Sequence, residues 1–161
     1  MYAALLALAW AAPTTAQDWI KTVEDWSAFQ FVEAGRRVCY ASTTPIDMEP
    51  KNVTRGEVSV QVTHDGRDGS RGVVSIFAGY TFAEGSTAVA AVGPAEFRMF
   101  TDGSAAWNPT PEQDRAMVEA MISGIRMTVS GLSDRGTDTR DNYSLLGFTA
   151  VHGAIDEACG G

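Results

Sequence analysis

Two histidines and two cysteines are the residues of this 161-residue chain with the broadest chemical repertoire. His64 stands beside Asp65, and His152 lies in an apolar segment near the end of the sequence. A small hydrolase would need one imidazole within about 3 Å of a serine or carboxylate in a cleft. Ser70 and Ser86 each follow a glycine in a turn-like segment, and no Gly-x-Ser-x-Gly pattern occurs. We therefore expect an exposed loop position for His64 and a packing or capping role for His152.

Two acidic segments are the candidate cation sites. Asp65 and Asp68 lie in the first segment, and Asp134, Asp138 and Asp141 lie in the second. Carboxylate oxygens suit Ca²⁺, but neither spacing fits an EF-hand loop, and arginines interleave with the acids. Solvated, self-paired loops are the favoured interpretation, and a Ca²⁺ site is the alternative. Because zincin, Walker A and dinucleotide-binding motifs are also absent from the sequence, we predict no catalytic residue, no cofactor and no metal site.

The cysteines, Cys39 and Cys159, stand near the two ends of the chain. An even pair in an exported protein is a natural disulfide, because the compartments outside the cytoplasm are oxidising. Two unrelated buried thiols are the alternative interpretation. With only two cysteines, a zinc site made of cysteines alone is excluded.

The first residues have the pattern of an export signal. Residues 3–12 form an apolar run (AALLALAWAA), and the small residues Thr14 and Ala16 precede Gln17. Such a run is shorter than the roughly 20 apolar residues that a membrane-spanning helix needs. We predict a signal peptide over residues 1–16, cleaved after Ala16, and a periplasmic or secreted bacterial protein without a transmembrane segment after signal removal. An apolar core element is the alternative for this run.

The charge balance limits the partners of the chain. The formal net charge is −8, which repels the phosphates of nucleic acids and the head groups of anionic lipids. We therefore predict no nucleic-acid partner, and the protein or envelope partner stays unidentified.

Short strand patterns occupy most of the chain after the signal. Val58, Val60 and Val62 alternate with polar residues, which is typical of a half-buried strand. Similar segments occur at 26–33, 36–44, 56–64, 73–82, 87–92, 96–101, 125–130 and 143–146. Residues 132–142 are read as a polar loop. Seven or eight short strands predict a mainly β fold, an immunoglobulin-like antiparallel β-sandwich with one or two short helices, as a single domain over residues 17–161.

Two segments have helical periodicity. Thr110, Pro111 and Gln113 form a capping box with proline at the first helical position, and Gly124 suits the end of this helix. Its methionines at 117 and 121 fall on one face, where core packing is favoured over metal binding. Residues 148–158 form the second predicted helix, which would bring Cys159 towards Cys39.

Several segments taken together resemble the invasion-associated locus B family of bacterial envelope proteins. In chain order they are 36–45 (RRVCYASTTP), 55–56, 78–86 (AGYTFAEGS), 106–107, 120–124, 131–149 (GLSDRGTDTRDNYSLLGFT) and 154–159 (AIDEAC). The most specific is 131–149. Their order and spacing extend the resemblance from about Trp26 to Cys159.

This resemblance implies an exported β-sandwich with a disulfide-capable cysteine pair, without enzymatic activity or a cofactor. Family members from host-invading bacteria are linked to entry into host cells, erythrocytes among them, whereas free-living bacteria have similar proteins without an evident role of this kind. The predicted function is thus that of an exported, non-enzymatic cell-envelope protein in host-cell interaction or envelope integrity. A Ca²⁺- or glycan-binding extracellular module is the alternative, and a small hydrolase is the less favoured one.

Overall fold

The computed structural model describes residues 16–160. The predicted signal peptide at 1–16 lies outside the described residues, apart from Ala16. Eleven strands and two helices follow one another in the described part. The strands are β1 (Asp18–Val23), β2 (Trp26–Glu33), β3 (Arg36–Thr43), β4 (Asp47–Glu49), β5 (Ser59–Asp65), β6 (Ser70–Phe77), β7 (Thr87–Val92), β8 (Ala95–Asp102), β9 (Ala105–Trp107), β10 (Arg126–Leu132) and β11 (Asp138–Ser144). The helices are α1 (Pro111–Ser123) and α2 (Phe148–Cys159).

All strands belong to one antiparallel sheet, in the order β1-β2-β3-β5-β6-β9-β8-β7-β10-β11-β4. The prediction of a mainly β, antiparallel fold with two helices is confirmed. The structure has more strands than the sequence predicts, because β1, β4 and β9 were not recognised. The predicted polar loop at 132–142 is wrong in its second half, where Asp138–Ser144 forms β11 and pairs with β10 along its whole length.

The sheet folds over on itself. The indole N–H of Trp26 in β2 donates to the backbone oxygen of Ser144 in β11 at 3.0 Å. These strands are second and tenth in the sheet, and a flat sheet would separate them by nearly 40 Å at the usual spacing of about 4.8 Å. The two halves of the single sheet therefore face each other as the layers of a sandwich. One continuous core lies between them, and Trp26, Val60, Ile76, Met127 and Tyr143 are among its members.

The two helices have different N-terminal caps, and both pack on the sheet. The Thr110 hydroxyl accepts the Gln113 N–H at 3.3 Å, and Pro111 is the first residue of α1, as predicted. Both methionines of its apolar face, at 117 and 121, are fully buried. Helix α2 follows Gly147, whose φ of 88° lies in the left-handed region. Its first residue, Phe148, packs on Trp26 with ring centroids 4.7 Å apart.

Among the described residues, no helix is both long enough and apolar enough to cross a lipid bilayer.

Candidate functional site

The end of α2 is fastened to β3 by a disulfide. Cys39 and Cys159 are bonded, with Cα atoms 5.9 Å apart, so the structure joins the pair that the sequence suggested. Helix α2 has no basic residue in its last turn. Arginines of the sheet donate hydrogen bonds to its C-terminal carbonyls instead. Arg37 donates to the backbone oxygen of Ala158 at 2.8 Å, and Arg71 donates to that of Cys159 at 3.3 Å.

His64 lies beside this disulfide, because it is the residue of β5 that pairs with Cys39 of β3. Its Nδ1 accepts the backbone N–H of Gly72 at 2.9 Å, and its Nε2 lies 2.9 Å from Oδ1 of Asp156. Because Nδ1 accepts a hydrogen bond, the ring proton is on Nε2 and is donated to the carboxylate. His64 is only 3% exposed, so the predicted exposed loop position is wrong. The inward alternation at Val58, Val60 and Val62 continues to position 64 and was the signal for this burial.

Asp156 gathers two further donors. His152 Nδ1 lies 3.1 Å from its Oδ2, and Arg71 donates to its Oδ1 at 3.0 Å. His152 is packed rather than fully exposed, in line with its predicted role, and its ring lies 5.5 Å from that of His64. We name Asp156, His64, His152 and Arg71 the Asp156 cluster. It joins α2 to β5 and β6.

The Asp156 cluster has the composition of a metal site but not the hydrogen bonding of one. Its two imidazoles and carboxylate form the one group of three ligand side chains within residues 16–160 whose ligand atoms all lie within 4.8 Å of one another. A metal ion would need the lone pair of His64 Nε2, yet this nitrogen carries the proton while Nδ1 accepts from Gly72. The positively charged guanidinium of Arg71 also lies against the same carboxylate, where it would repel a metal ion. The arrangement therefore fits a structural hydrogen-bonded cluster.

The same cluster gives little support to hydrolase chemistry. Within the part of the chain that the structure describes, neither imidazole is hydrogen-bonded to a hydroxyl or thiol group. The nearby sulfur of Cys39 is held in the disulfide. Burial is the largest influence on His64 and holds its pKa below the usual value, against the opposing hydrogen bond to Asp156. A neutral, buried imidazole without a neighbouring nucleophile fits a structural role better than a role as a general base.

A second polar centre lies between the two halves of the sheet. Arg55 donates to both carboxylate oxygens of Asp141, at 2.6 and 2.7 Å, and the two side chains are 5% and 4% exposed. The guanidinium also donates to the backbone oxygen of Ala78 and lies 5.0 Å from the ring centre of Tyr80. Asp141 is therefore a buried ion-pair partner, and the sequence-based placement of this residue in a solvated acidic loop is wrong.

Close packing around Tyr80 explains a glycine in the longest family-like segment. The Tyr80 hydroxyl lies 2.6 Å from Oγ1 of Thr139. A Cβ atom on Gly131 would come within 2.6 Å of the Phe82 ring and 2.7 Å of the Tyr80 hydroxyl. The segments 55–56, 78–86 and 131–149, which are far apart in sequence, therefore converge on the Arg55–Asp141 pair.

Arg55 of this pair also lines an open depression of about 550 Å³. It is lined by residues 52–55, 79–81 and the turn at 133–139. The turn is held internally, because Ser133 Oγ accepts the Thr137 N–H at 3.0 Å. Asp134 and Arg135 are exposed at its tip. We name this surface the 133–139 face.

The acidic residues of the two loops do not converge on a shared ion position. Asp65 accepts from Arg67, and Asp68 accepts the Ser70 N–H at 2.8 Å. Asp134, Asp138 and Asp141 form no group of neighbouring ligand atoms among residues 16–160. The geometry thus favours the interpretation of self-paired loops.

Sequence reasoning missed a row of aromatic rings on the outer face of the sheet. Trp19 pairs with Phe29, and Phe29 pairs with Tyr40, so the three side chains share one face of β1, β2 and β3. The Phe29 and Tyr40 rings stack at 5.3 Å, and Trp19 is 63% exposed. The row was not recognised because the register of β1 shifts between Trp19 and Lys21, which removes the alternation that identifies a strand.

The comparison with known proteins agrees with the resemblance noted from the sequence. A family model described as "Invasion associated locus B (IalB) protein" matches residues 26–156. The crystal structure of invasion associated protein B from Bartonella henselae is similar to this chain with a TM-score of 0.62 and 16% sequence identity. The similarity covers 86% of this chain and 95% of that one, and at this identity it shows a common fold. No curated protein shows a significant sequence match.

Proposed function

The chain belongs to the invasion-associated locus B family, and from this premise we propose that it is an exported, non-enzymatic protein of the bacterial cell envelope that acts by binding a partner. The family match over residues 26–156 is the observation that carries the proposal. The disulfide supports it, because such bonds persist outside the reducing cytoplasm. In this proposal residues 1–16 are a signal peptide, residues 17–161 are one domain, and the mature protein is periplasmic or secreted.

The 133–139 face is the surface that we propose for recognition. Loops held on a rigid scaffold are frequent binding surfaces, and this turn lines a depression together with Arg55, which the buried ion pair with Asp141 holds in place. Asp134 and Arg135 offer one charge of each sign at its tip. A protein or envelope component bound here would serve host-cell interaction or envelope integrity.

Export is tested by fractionating cells that produce the full-length chain. The expected product lies outside the cytoplasm, begins at Gln17, and is two hydrogens lighter than its reduced form because of the disulfide. An Ala16→Glu variant is the matched control, since a charged residue at the cleavage point should block processing. A cytoplasmic chain with two alkylatable thiols would contradict the proposal.

The role of the 133–139 face is tested by complementation of a deletion strain of the source bacterium. We expect an Asp134→Ala/Arg135→Ala variant to fail to restore host-cell attachment or resistance to detergent, while its melting temperature is unchanged. Arg115→Ala, an exposed arginine on α1, is the control and should restore both. Full restoration by the double variant would remove this face from the proposal.

A further inference from the structure

Strand β1 is an edge of the sheet with backbone groups available for pairing. This six-residue strand pairs only with β2 among residues 16–160, whereas β4 at the opposite edge has three residues. The outer N–H and C=O groups of an edge strand are a ready template for another extended chain. The other strands of the sheet are paired on both sides.

The bulge in β1 directs its side chains to two different surfaces. Trp19 opposes Phe29 and Lys21 opposes Ala28, so Ile20 is the extra residue. Ile20 and Lys21 line a groove beside α2. Trp19 and its hydrogen-bond acceptor Thr22 lie on the opposite, outer face.

The groove between β1 and α2 has room for side chains. It has a volume of about 450 Å³, and its helical wall is made largely of the small residues Ala150, Gly153 and Ala154. A Cβ atom built on Gly153 meets nothing within 4 Å, so the middle of the groove is open. The disulfide, Arg37 and the Asp156 cluster hold α2 in place, so the groove exists before anything enters it.

The outer face offers a second contact for an added strand. Trp19 is 63% exposed, and its indole N–H donates to Thr22 Oγ1 at 3.0 Å, which orients the ring. A large, oriented and exposed aromatic ring is a typical anchor for a protein partner. It lies at the end of the row formed with Phe29 and Tyr40.

We propose that β1 is a docking site for an extended peptide segment of a partner protein, which adds to the sheet as a further strand. Its side chains enter the β1–α2 groove and pack on Trp19 in alternation, as the period of a strand requires. Ile20 and the small residues of α2 give the groove an apolar lining, so apolar side chains of modest size fit it best, and the opposite charges of Lys21 and Glu157 give it no charge preference. A second copy of this chain is a poorer occupant, because two molecules of charge −8 repel each other.

The inference adds a second binding surface, which shares no residue with the 133–139 face, and it rests on the proposed function only for its biological setting. Peptide binding can fail while export and the envelope location stand. Conversely, peptide binding to the purified chain would survive a failure of the export experiment.

The test begins with the selection of peptides from an immobilised library of random decapeptides by the purified, disulfide-bonded chain. The enriched peptides are then synthesised and titrated against three variants. Gly153→Leu fills the groove, Trp19→Ser removes the outer anchor, and Arg115→Leu is the control with an added apolar side chain on an exposed part of α1. A cooperative thermal unfolding transition and an unchanged circular dichroism spectrum establish that each variant is folded.

We expect enriched peptides with apolar residues at every second position, and binding at least about tenfold weaker to Gly153→Leu and Trp19→Ser but unchanged for Arg115→Leu. The β1 amides should exchange with solvent at least about tenfold more slowly when peptide is bound. Failure to enrich such peptides, equal affinity for all variants, or binding without protection of β1 would overturn the proposal. A dimer joined through β1 in sedimentation experiments would replace the peptide by a second copy and overturn it as well.

Discussion

His64 is a buried imidazole with both ring nitrogens engaged, and this geometry fixes its charge. A second proton could be added at Nδ1 only by breaking the hydrogen bond from Gly72. The unfolded chain has no such restriction and takes up the proton near pH 6.5. Between pH 6.5 and the lowered pKa of His64 in the folded protein, the folded state therefore binds fewer protons than the unfolded state.

The resulting prediction concerns the pH dependence of stability. The unfolding free energy has the full contribution of His64 above pH 6.5 and loses it as the pH falls towards the lowered folded pKa. Urea unfolding at pH 7.5, 6.5 and 5.5 should therefore show a decline in the wild-type protein that is smaller in His64→Gln, which has no ionisable group. An equal decline in the two proteins would contradict this account, because other groups would then cause it.

The Arg55–Asp141 pair gives a second prediction for single residues. Removing one member leaves a buried charge without its partner, so we expect Arg55→Met to lower the unfolding free energy by about 3–5 kcal/mol. Arg55→Met/Asp141→Leu should cost less than the single change, because no uncompensated charge remains. Urea titrations of both variants measure the difference. A double variant that costs more than Arg55→Met would contradict this account, because both proteins lack the hydrogen bonds from Arg55 to Ala78 and they differ only at position 141.

Single-residue chemistry was only partly predictable from the sequence. The cysteine pair followed from its number and setting, and the burial of His64 could have been read from the valine alternation. Neither the bond from His64 to Asp156 nor that from Arg55 to Asp141 has a local signal. Their members are 92 and 86 positions apart and meet only through the folding of the sheet.

Three glycines at contacts between elements differ in the space that is available for a side chain. Gly147 has a φ of 88°, and a Cβ there would collide with the backbone of Val23, the last residue of β1. Gly131 faces the Tyr80 and Phe82 rings without space for a methyl group. Gly153 lies inside α2 with nothing near its missing Cβ. One chemical change, glycine to alanine, thus tests three different contacts.

We expect Gly147→Ala and Gly131→Ala to lower the unfolding free energy by about 1–3 kcal/mol, through backbone strain in the first and overpacking in the second. Gly153→Ala should raise it by about 0.5–1 kcal/mol, because alanine is the better helix former and no contact is disturbed. Thermal and urea unfolding of the three variants give the order. A destabilised Gly153→Ala protein would mean that the groove beside α2 has no space for a methyl group at this position.

Prediction of the elements succeeded where the chain alternates or is capped. Strands β2 and β7 and the start of α1 were located within a residue, because each has its own local pattern. The sequence pattern predicts a loop for most of β11, because Asp138, Arg140 and Asn142 give the strand a polar outer face. It is a strand because β10 pairs along its full length and β4 adds to its other side.

The disulfide acts at the scale of the whole molecule, since 120 positions separate its cysteines. We expect Cys39→Ala/Cys159→Ala to lower the unfolding free energy by about 2–5 kcal/mol, because the unfolded chain gains freedom when the large loop is opened. Urea unfolding of this variant, beside wild-type protein with and without a thiol reductant, measures the loss. If the reductant leaves the unfolding free energy of the wild-type protein unchanged but the double variant is less stable, the substitutions themselves and not the loss of the disulfide cause the difference.

The sandwich was predictable as a class, but its construction from one continuous sheet was not. Alternating patterns identify which side chains face a core, whereas the order of strands depends on pairings between distant segments. The pairing of β6 with the three-residue β9 links the two halves, and a strand this short has no readable pattern. The 133–139 face and the β1–α2 groove depend on this folding of the sheet and could not be located beforehand.

The covalent link between β3 and the last residue of α2 has a mechanical consequence. Tension applied at the two ends of the described chain passes through the sulfur–sulfur bond and bypasses residues 40–158, which cannot lengthen while that bond is intact. Only the segment before Cys39 can be peeled away, and its first element, β1, is held to the rest of the sheet by a single neighbour. Pulling on this protein would therefore strip an edge strand from a body that stays whole.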